Sequence, residues 1–469
     1  MRATAPRRTI LTHDCRSVGG REVPLKALLL HYWDRLTSSL WFVPAAMAFV
    51  AVALASGAVA IDRAWGDRLL GGLDWIYSGG AEGASLLLGT VAGSMISIAG
   101  TVFSMTLVAL SLASSQLGPR LLRNFMRDSV NQVVLGTFVA TFVYCLLVLR
   151  TIRRADEGVF VPHLSVSIGV LLAIISMGVL IYFVHHVSVS IQADEVVARV
   201  GREIEEGIDR LFPDGVEAPA VAGTPALNDA DFAAFTTRAA VAVNASADGY
   251  LQLINVEALV DLACREDLLL RLECRPGHFL VKDEPLMMAF PADRLDENLT
   301  ARINATVVVG NQRTATQDVE FSFHQLVEIA LRALSPGIND PFTAVVCVDR
   351  IGSALCLLAG RRAPSPLRFD SQGRLRLVLQ RSDFPGVVDA AFNQIRQNSQ
   401  SNPAIAIRML EAIARVASRI QCREHAHCLR RHAEMIIGGA RKSVAESDDL
   451  LAVETRFAAV TKSLEQFQR

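Results

Sequence analysis

Four side chains near the carboxy-terminal end, Cys422, His425, Cys428 and His432, are of the types that hold transition metals. Their steps of three, three and four place them on one helical face. Tetrahedral zinc usually draws its ligands from two elements, because one straight helix cannot wrap an ion. Arg423, Arg430 and Arg431 add positive charge beside them, so no metal is expected. Two loops gather further polar groups: Arg313, Thr314, Gln317 and Asp318 in RTATQD, and Asn339, Asp340 and Thr343 in SPGINDPFT. These could converge on an ion or small ligand. Capping chemistry is the competing account of the second loop, since Asp340 suits the cap of a helix and Pro341 its first position. No nucleophile–base pair, phosphate loop or paired-carboxylate signature accompanies them. The chain therefore does not read as an enzyme, and no cofactor is expected.

A different kind of pattern runs through Gly83–Pro119, a stretch without a charged residue and longer than the ~20 apolar residues a membrane-crossing helix needs. Ser94, Ser97, Thr101, Ser104, Ser111 and Ser115 follow alternating steps of three and four, broken only by Val108. A second row, Ser85, Gly89, Gly93, Ser97 and Thr101, steps by four. Small residues let helices approach closely and hydroxyls bond across helices. The alternative is that the hydroxyl row lines a wetted pathway, which a four-span chain can enclose only as an oligomer. The spans contain no Asp, Glu, Lys or Arg in their cores, which speaks against an ion-coupled transporter. A pathway there would be weakly selective, and Arg120, Arg123 and Arg127 just past its inner end would bias it towards anions. His185 and His186, at the end of the fourth span, point about 100° apart on a helix and suit interface anchoring better than a joint metal site.

The elements that position these residues follow from composition. The chain has 469 residues, half of them apolar and a fifth charged, with a formal net charge of -1. That balance fits membrane spans joined to a further domain and gives no support for a nucleic-acid partner. The eight cysteines include no CxxC pair, as expected of reduced thiols. Residues 1–36 read as a cytosolic tail without a signal peptide, and 37–192 as a transmembrane domain with spans at about 40–61, 84–115, 130–149 and 164–187. Asp62 and Arg63 close the first span, and Arg120–Arg127 suit a short surface helix or a basic loop. The distribution of arginine favours both termini inside the cell. A connecting helix and a Pro- and Ala-rich linker fill 193–232. Short alternating runs broken by turn residues mark a small β module at 233–317, similar to barrel-sandwich modules but lacking a carrier-type lysine. Residues 318–469 read as mainly helical, with a short β-like stretch at LRFDSQGRLRLVLQ and helices at about 384–399, 402–439 (with a break) and 444–468. The fold class is thus an α-helical membrane domain of four transmembrane helices. A cytosolic α+β region follows, with a small β-barrel-like module and a C-terminal helical bundle.

The stretches GSMISIAGTVFSMTLVALSLASSQLGPRLLRNFMRD, NQVVLGTFVATFVYCLLVLRT, SMGVLIYFVHHVSVSIQA, RTATQD and ALSPGINDPFTA together resemble a bacterial family of predicted multi-pass membrane proteins, nearly end to end. The resemblance implies an inner-membrane location and a soluble C-terminal region, without a substrate, cofactor or catalytic residue. The reading is an oligomeric, channel-like membrane protein whose second span lines or abuts the pathway. The alternative is a membrane-anchored ligand-binding or signalling protein without a pore.

Overall fold

A computed structural model describes residues 41–69, 77, 79–117, 129–153, 160–190, 192–213, 240–465 and 467. The expected N-terminal tail, the Arg120–Arg127 segment and residues 214–232 of the connecting segment lie outside them. The chain divides into two compact units, Gly19–Val196 and one that includes Val197–Arg469.

The first unit is four apolar helices: α1 (Phe42–Leu69), α2 (Ala81–Leu117), α3 (Ser129–Leu149) and α4 (His163–Ser190). The first runs on past Asp62 and Arg63, where the apolar run ends but nothing breaks a helix. The third is central and touches the other three. Its Tyr144, Cys145 and Val148 join Ala51, Ala55, Ala84, Leu88 and Val166 in one cluster, while Phe138 and Val134 meet Met95, Ala99, Val102 and Phe183 in another. Close approach explains two glycines here. A Cβ on Gly136 would lie 3.3 Å from Pro44 Cα, and one on Gly169 would lie 2.9 Å from Leu88 Cδ2. Thr141 and Ser176 bond to each other at 3.1 Å across α3 and α4, the interhelical hydroxyl contact that apolar surroundings favour.

The second unit opens with the amphipathic α5 (Ala193–Leu211), separated from α4 by two residues. Its Val196, Val197, Val200, Ile204 and Ile208 are buried, as their helical spacing dictates. The β region comprises β1 (Val241–Asn244), β2 (Gly249–Ile254), α6 (Val256–Arg265), β3 (Leu269–Leu272), β4 (Phe279–Leu280), β5 (Pro285–Phe290), α7 (Glu297–Asn304) and β6 (Val307–Gly310). Helices α8 (Val319–Ala333) and α9 (Pro341–Ala359) follow. The hairpin β7 (Leu367–Phe369) and β8 (Leu375–Val378) then returns to the sheet, where β8 pairs in parallel with β3. The strands form two sheets, of order β1-β5-β3-β8-β7 and β4-β2-β6. The larger one thus draws strands from both sides of residue 317. Four helices complete the chain: α10 (Phe384–Asn398), α11 (Pro403–Ala417), α12 (Arg423–Ser443) and α13 (Ser447–Glu465). The break in 402–439 falls at Ser418–Cys422.

Five described helices are long and apolar enough to cross a membrane: Phe42–Ala64, Ala81–Leu112, Val130–Leu149, His163–Val189 and Pro341–Ala359. The fifth differs in its surroundings. Its Ala344, Cys347, Val348, Ile351 and Leu355 are fully enclosed, and it packs against α8, α10 and α11.

Candidate functional site

The face of α2 that meets its own protomer is Ala84, Leu88, Ala92, Met95, Ala99 and Val102, at steps of three and four. Both rows of small residues lie elsewhere on the helix. Ser94, Ser97, Thr101, Ser104, Ser111 and Ser115 are all exposed, and so is Gly93, with Gly89 half-buried. A Cβ placed on Gly89, Gly93 or Gly100 would meet nothing within 4 Å. Among the described residues it is the apolar row, and not Gly89 and Gly93, that packs α2 against the rest of the protomer. The hydroxyls are turned back onto their own helix: Ser94 donates to Thr90 O at 2.8 Å, Ser97 to Gly93 O at 3.0 Å and Thr101 to Ser97 O at 3.1 Å. Back-bonding satisfies the donor and leaves the oxygen able to accept from a second group. His186 stacks on Tyr182 one turn before it, with ring centroids 5.9 Å apart, while His185 is exposed.

Asp62, read from the sequence as the end of a span, has a second role. It is buried and caps α4: its carboxylate accepts from Leu164 N at 3.0 Å, Ser165 N at 2.9 Å and Ser165 Oγ at 2.6 Å. Three donors at a helix N-terminus stabilise the buried negative charge. Tyr77 N donates to Ser167 Oγ, and His163 Nδ1 lies 2.7 Å from Tyr77 O, closing the same end of the four helices. Only the acidic residue beside an apolar run signalled this in the sequence.

The two polar loops do not converge. Asp318 caps α8 at its start, and Asp340 follows the end of α8, where its N–H donates to Ala333 O at 2.7 Å. The 15 residues of α8 hold the two loops about 22 Å apart. At the first loop Arg313 clamps the buried Asp318 with bonds of 2.8 and 3.0 Å, and its Nη1 lies 3.3 Å from His324 Nδ1. Asp318 also accepts from Phe321 N. Burial pushes its carboxyl above the usual carboxylate range, against the opposing pull of Arg313. Gln317 pins the end of β2, accepting from Ile254 N and donating to Ile254 O. Gly277, at φ +96°, leaves no room for a side chain, since a Cβ would strike Asp318. Arg275, which sequence reasoning passed over, reaches Glu320 and Ser382 alongside. This cluster fastens the β3–β4 loop to the starts of α8 and α10. At the second loop, Asn339 adopts φ +51°, and Asp340 caps Thr343 through its backbone N and hydroxyl. Those bonds from Thr343 hold the Asp340 carboxyl below its usual range.

The carboxy-terminal Cys and His residues are likewise drawn apart. Cys422 precedes α12, His425 stacks on Phe384 with centroids 4.1 Å apart, and His432 Nε2 meets Asp389 Oδ1 at 2.8 Å. Cys428 is buried, and its thiol is pushed up to about 11 chiefly by that burial. Among the described residues no three His, Cys, Asp or Glu side chains come together as a metal site.

A family model described as a predicted membrane protein, DUF2254, matches residues 37–415. The chain belongs to that family. The match takes in the four amino-terminal helices and both sheets and ends before α12. An uncharacterized protein of Mycobacterium bovis is 31% identical over 439 residues, covering 92% of this chain and 82% of the relative. An uncharacterized protein of Mycobacterium tuberculosis strain H37Rv matches to the same extent, and one of strain CDC 1551 is 30% identical over the same length. No solved structure matches the chain.

Proposed function

We propose that the protein is an oligomeric, channel-like protein of the inner membrane, held by four spans, with α2 of several copies at or beside a passive pathway. The observation that carries this reading is the open face of α2. Among the described residues nothing lies within 4 Å of where a Cβ would stand on Gly89, Gly93 or Gly100, although glycine costs about 1 kcal/mol relative to alanine in a helix interior. Lipid would accept larger side chains there, whereas a helix of another copy at close range would not. The adjoining hydroxyl row supplies oxygens with acceptor capacity to spare, without any ionised group. Pro341–Ala359 is read as a core helix of the second unit, since its enclosed face already has partners. The arginine distribution favours both termini on the cytoplasmic side. The cytoplasmic unit then assembles or gates the membrane part rather than catalysing a reaction.

The test is a count of subunits in detergent or lipid nanodiscs by light scattering. Wild type is expected as a defined oligomer, and Gly93→Leu and Ser97→Trp as smaller species. A wild-type monomer overturns the reading, and variants that assemble normally overturn the role of α2 in it.

A further inference from the structure

We propose that the groove between α11 and α13 binds a small organic monoanion, a carboxylate on an apolar body, through the guanidinium groups of Arg408, Arg415 and Arg456. This does not rest on the oligomeric reading.

The groove lies wholly within the second unit. Helix α11 packs against both α9 and α13. Between α11 and α13 a hollow of about 400 Å³ opens to the surface. Its walls are apolar: Leu410 is fully buried, and Ala414 and Ala459 have short side chains that leave the space unfilled. Arg408, Glu411 and Arg415 of α11 and Arg456 of α13 stand round it. Sites for small molecules usually measure about 300–1,000 Å³ and have this character, an apolar lining with a few placed charges.

The charges round the hollow do not cancel. Arg415 Nη2 donates to Asp349 Oδ1 of α9 at 2.9 Å, and Arg408 Nε stands 3.6 Å from that same oxygen. Arg408 Nη1 donates to Glu411 Oε2 at 3.2 Å, and Arg456 Nε donates to Glu411 Oε1 at 2.9 Å. Three guanidiniums thus share two carboxylates, which leaves one positive charge over. Among the described residues none of these pairs is bidentate. Arg313 and Asp318 in the same unit show a closed fork, with Nε and Nη2 each on its own carboxylate oxygen at 2.8 and 3.0 Å. Arg415 and Arg456 each use a single nitrogen, so the parallel N–H groups that match a carboxylate remain open.

Exposed single-point pairs add only about 0–1 kcal/mol each, so stability gives little reason to gather three arginines round a hollow. A carboxylate supplies the missing negative charge, and its apolar body lies against the two alanines. Phosphate suits the groove less, since at neutral pH it carries more than one charge and it has no apolar part.

The experiment irradiates the full-length protein in lipid nanodiscs with the photoreactive carboxylate para-benzoylbenzoate at fixed ionic strength. Adducts are then mapped by proteolysis and mass spectrometry. They are expected on peptides of α11 and α13, and an excess of benzoate is expected to displace them. The uncharged para-benzoylbenzamide is expected to label these peptides about tenfold less, the loss of one charge-assisted hydrogen bond. Arg456→Gln should weaken labelling by the carboxylate to a similar degree. Ala459→Trp, at an exposed position outside the ion pairs, should fill the hollow and abolish labelling. No adduct on α11 or α13, equal labelling by the amide, or undiminished labelling of Ala459→Trp overturns the proposal. Displacement by inorganic phosphate as readily as by benzoate overturns the choice of a carboxylate.

Discussion

Asp318 is enclosed by the protein yet carries three jobs at once: it caps α8, neutralises Arg313, and fills the space that a side chain at 277 would need. Removing it takes the partner from the half-buried guanidinium of Arg313 and the cap from α8, and a lost cap alone costs about 1 kcal/mol. Asp318→Ala should therefore speed amide hydrogen exchange over Val319–Ala333 and lower the unfolding temperature of the second unit. Unchanged exchange there would show that the clamp is dispensable. The histidines predict a pH dependence. His278, His425 and His432 are all held below the ordinary value of 6.5, in each case mainly by burial, with Asp389 partly offsetting it at His432. In that situation the unfolded chain binds more protons than the folded one between the two values, so stability rises with pH across the window. The stability is complete above 6.5 and is lost as the pH falls through the lowered folded values. Thermal unfolding followed by circular dichroism should show a falling midpoint from about pH 7.5 to about pH 5.5. His432→Gln should flatten part of that slope, and a midpoint that rises on acidification would contradict the assignment.

At the scale of elements, two glycines on neighbouring membrane helices should respond in opposite ways. Gly169 lies against Leu88 and Tyr144, so Gly169→Val overpacks the protomer and should cost about 1–3 kcal/mol, read as lost yield and early thermal aggregation. Gly93 faces open space, so Gly93→Leu should leave the protomer's thermal stability intact while changing its assembly. If both variants lose stability alike, the outward face of α2 has been misassigned. The four apolar helices were readable in the sequence because length and the lack of charge suffice to define them. Which side of α2 turns inward was not. Ala84, Leu88, Ala92, Met95, Ala99 and Val102 share the three-and-four spacing of the hydroxyl row, and an apolar helix has no polar face to break the tie. The break between α11 and α12 also carries no local signal. No glycine ends the first helix, and Cys422 caps the second without a side-chain bond. The pairing of β8 with β3 joins segments about a hundred residues apart, which no local pattern encodes. The cap of α8 by Asp318 and of α9 by Asp340 was legible, because an Asp before an apolar helical run has one dominant use.

For the molecule as a whole, the membrane unit and the mixed unit have different kinds of polar chemistry. In the second unit the RTATQD and SPGINDPFT side chains are spent on clamps and caps, which explains their concentration without calling for a substrate. In the membrane unit Ser94, Ser97 and Thr101 of α2 are exposed, and each hydroxyl donates to its own helix. A pathway built from such groups has no fixed charge within the bilayer and should discriminate little between ions of either sign. The most direct test is the conductance of the purified full-length protein in planar bilayers, under voltage and under tension. The account predicts discrete, weakly selective openings that Ser97→Trp abolishes or narrows; bilayers that stay silent under both stimuli while holding inserted protein would contradict it.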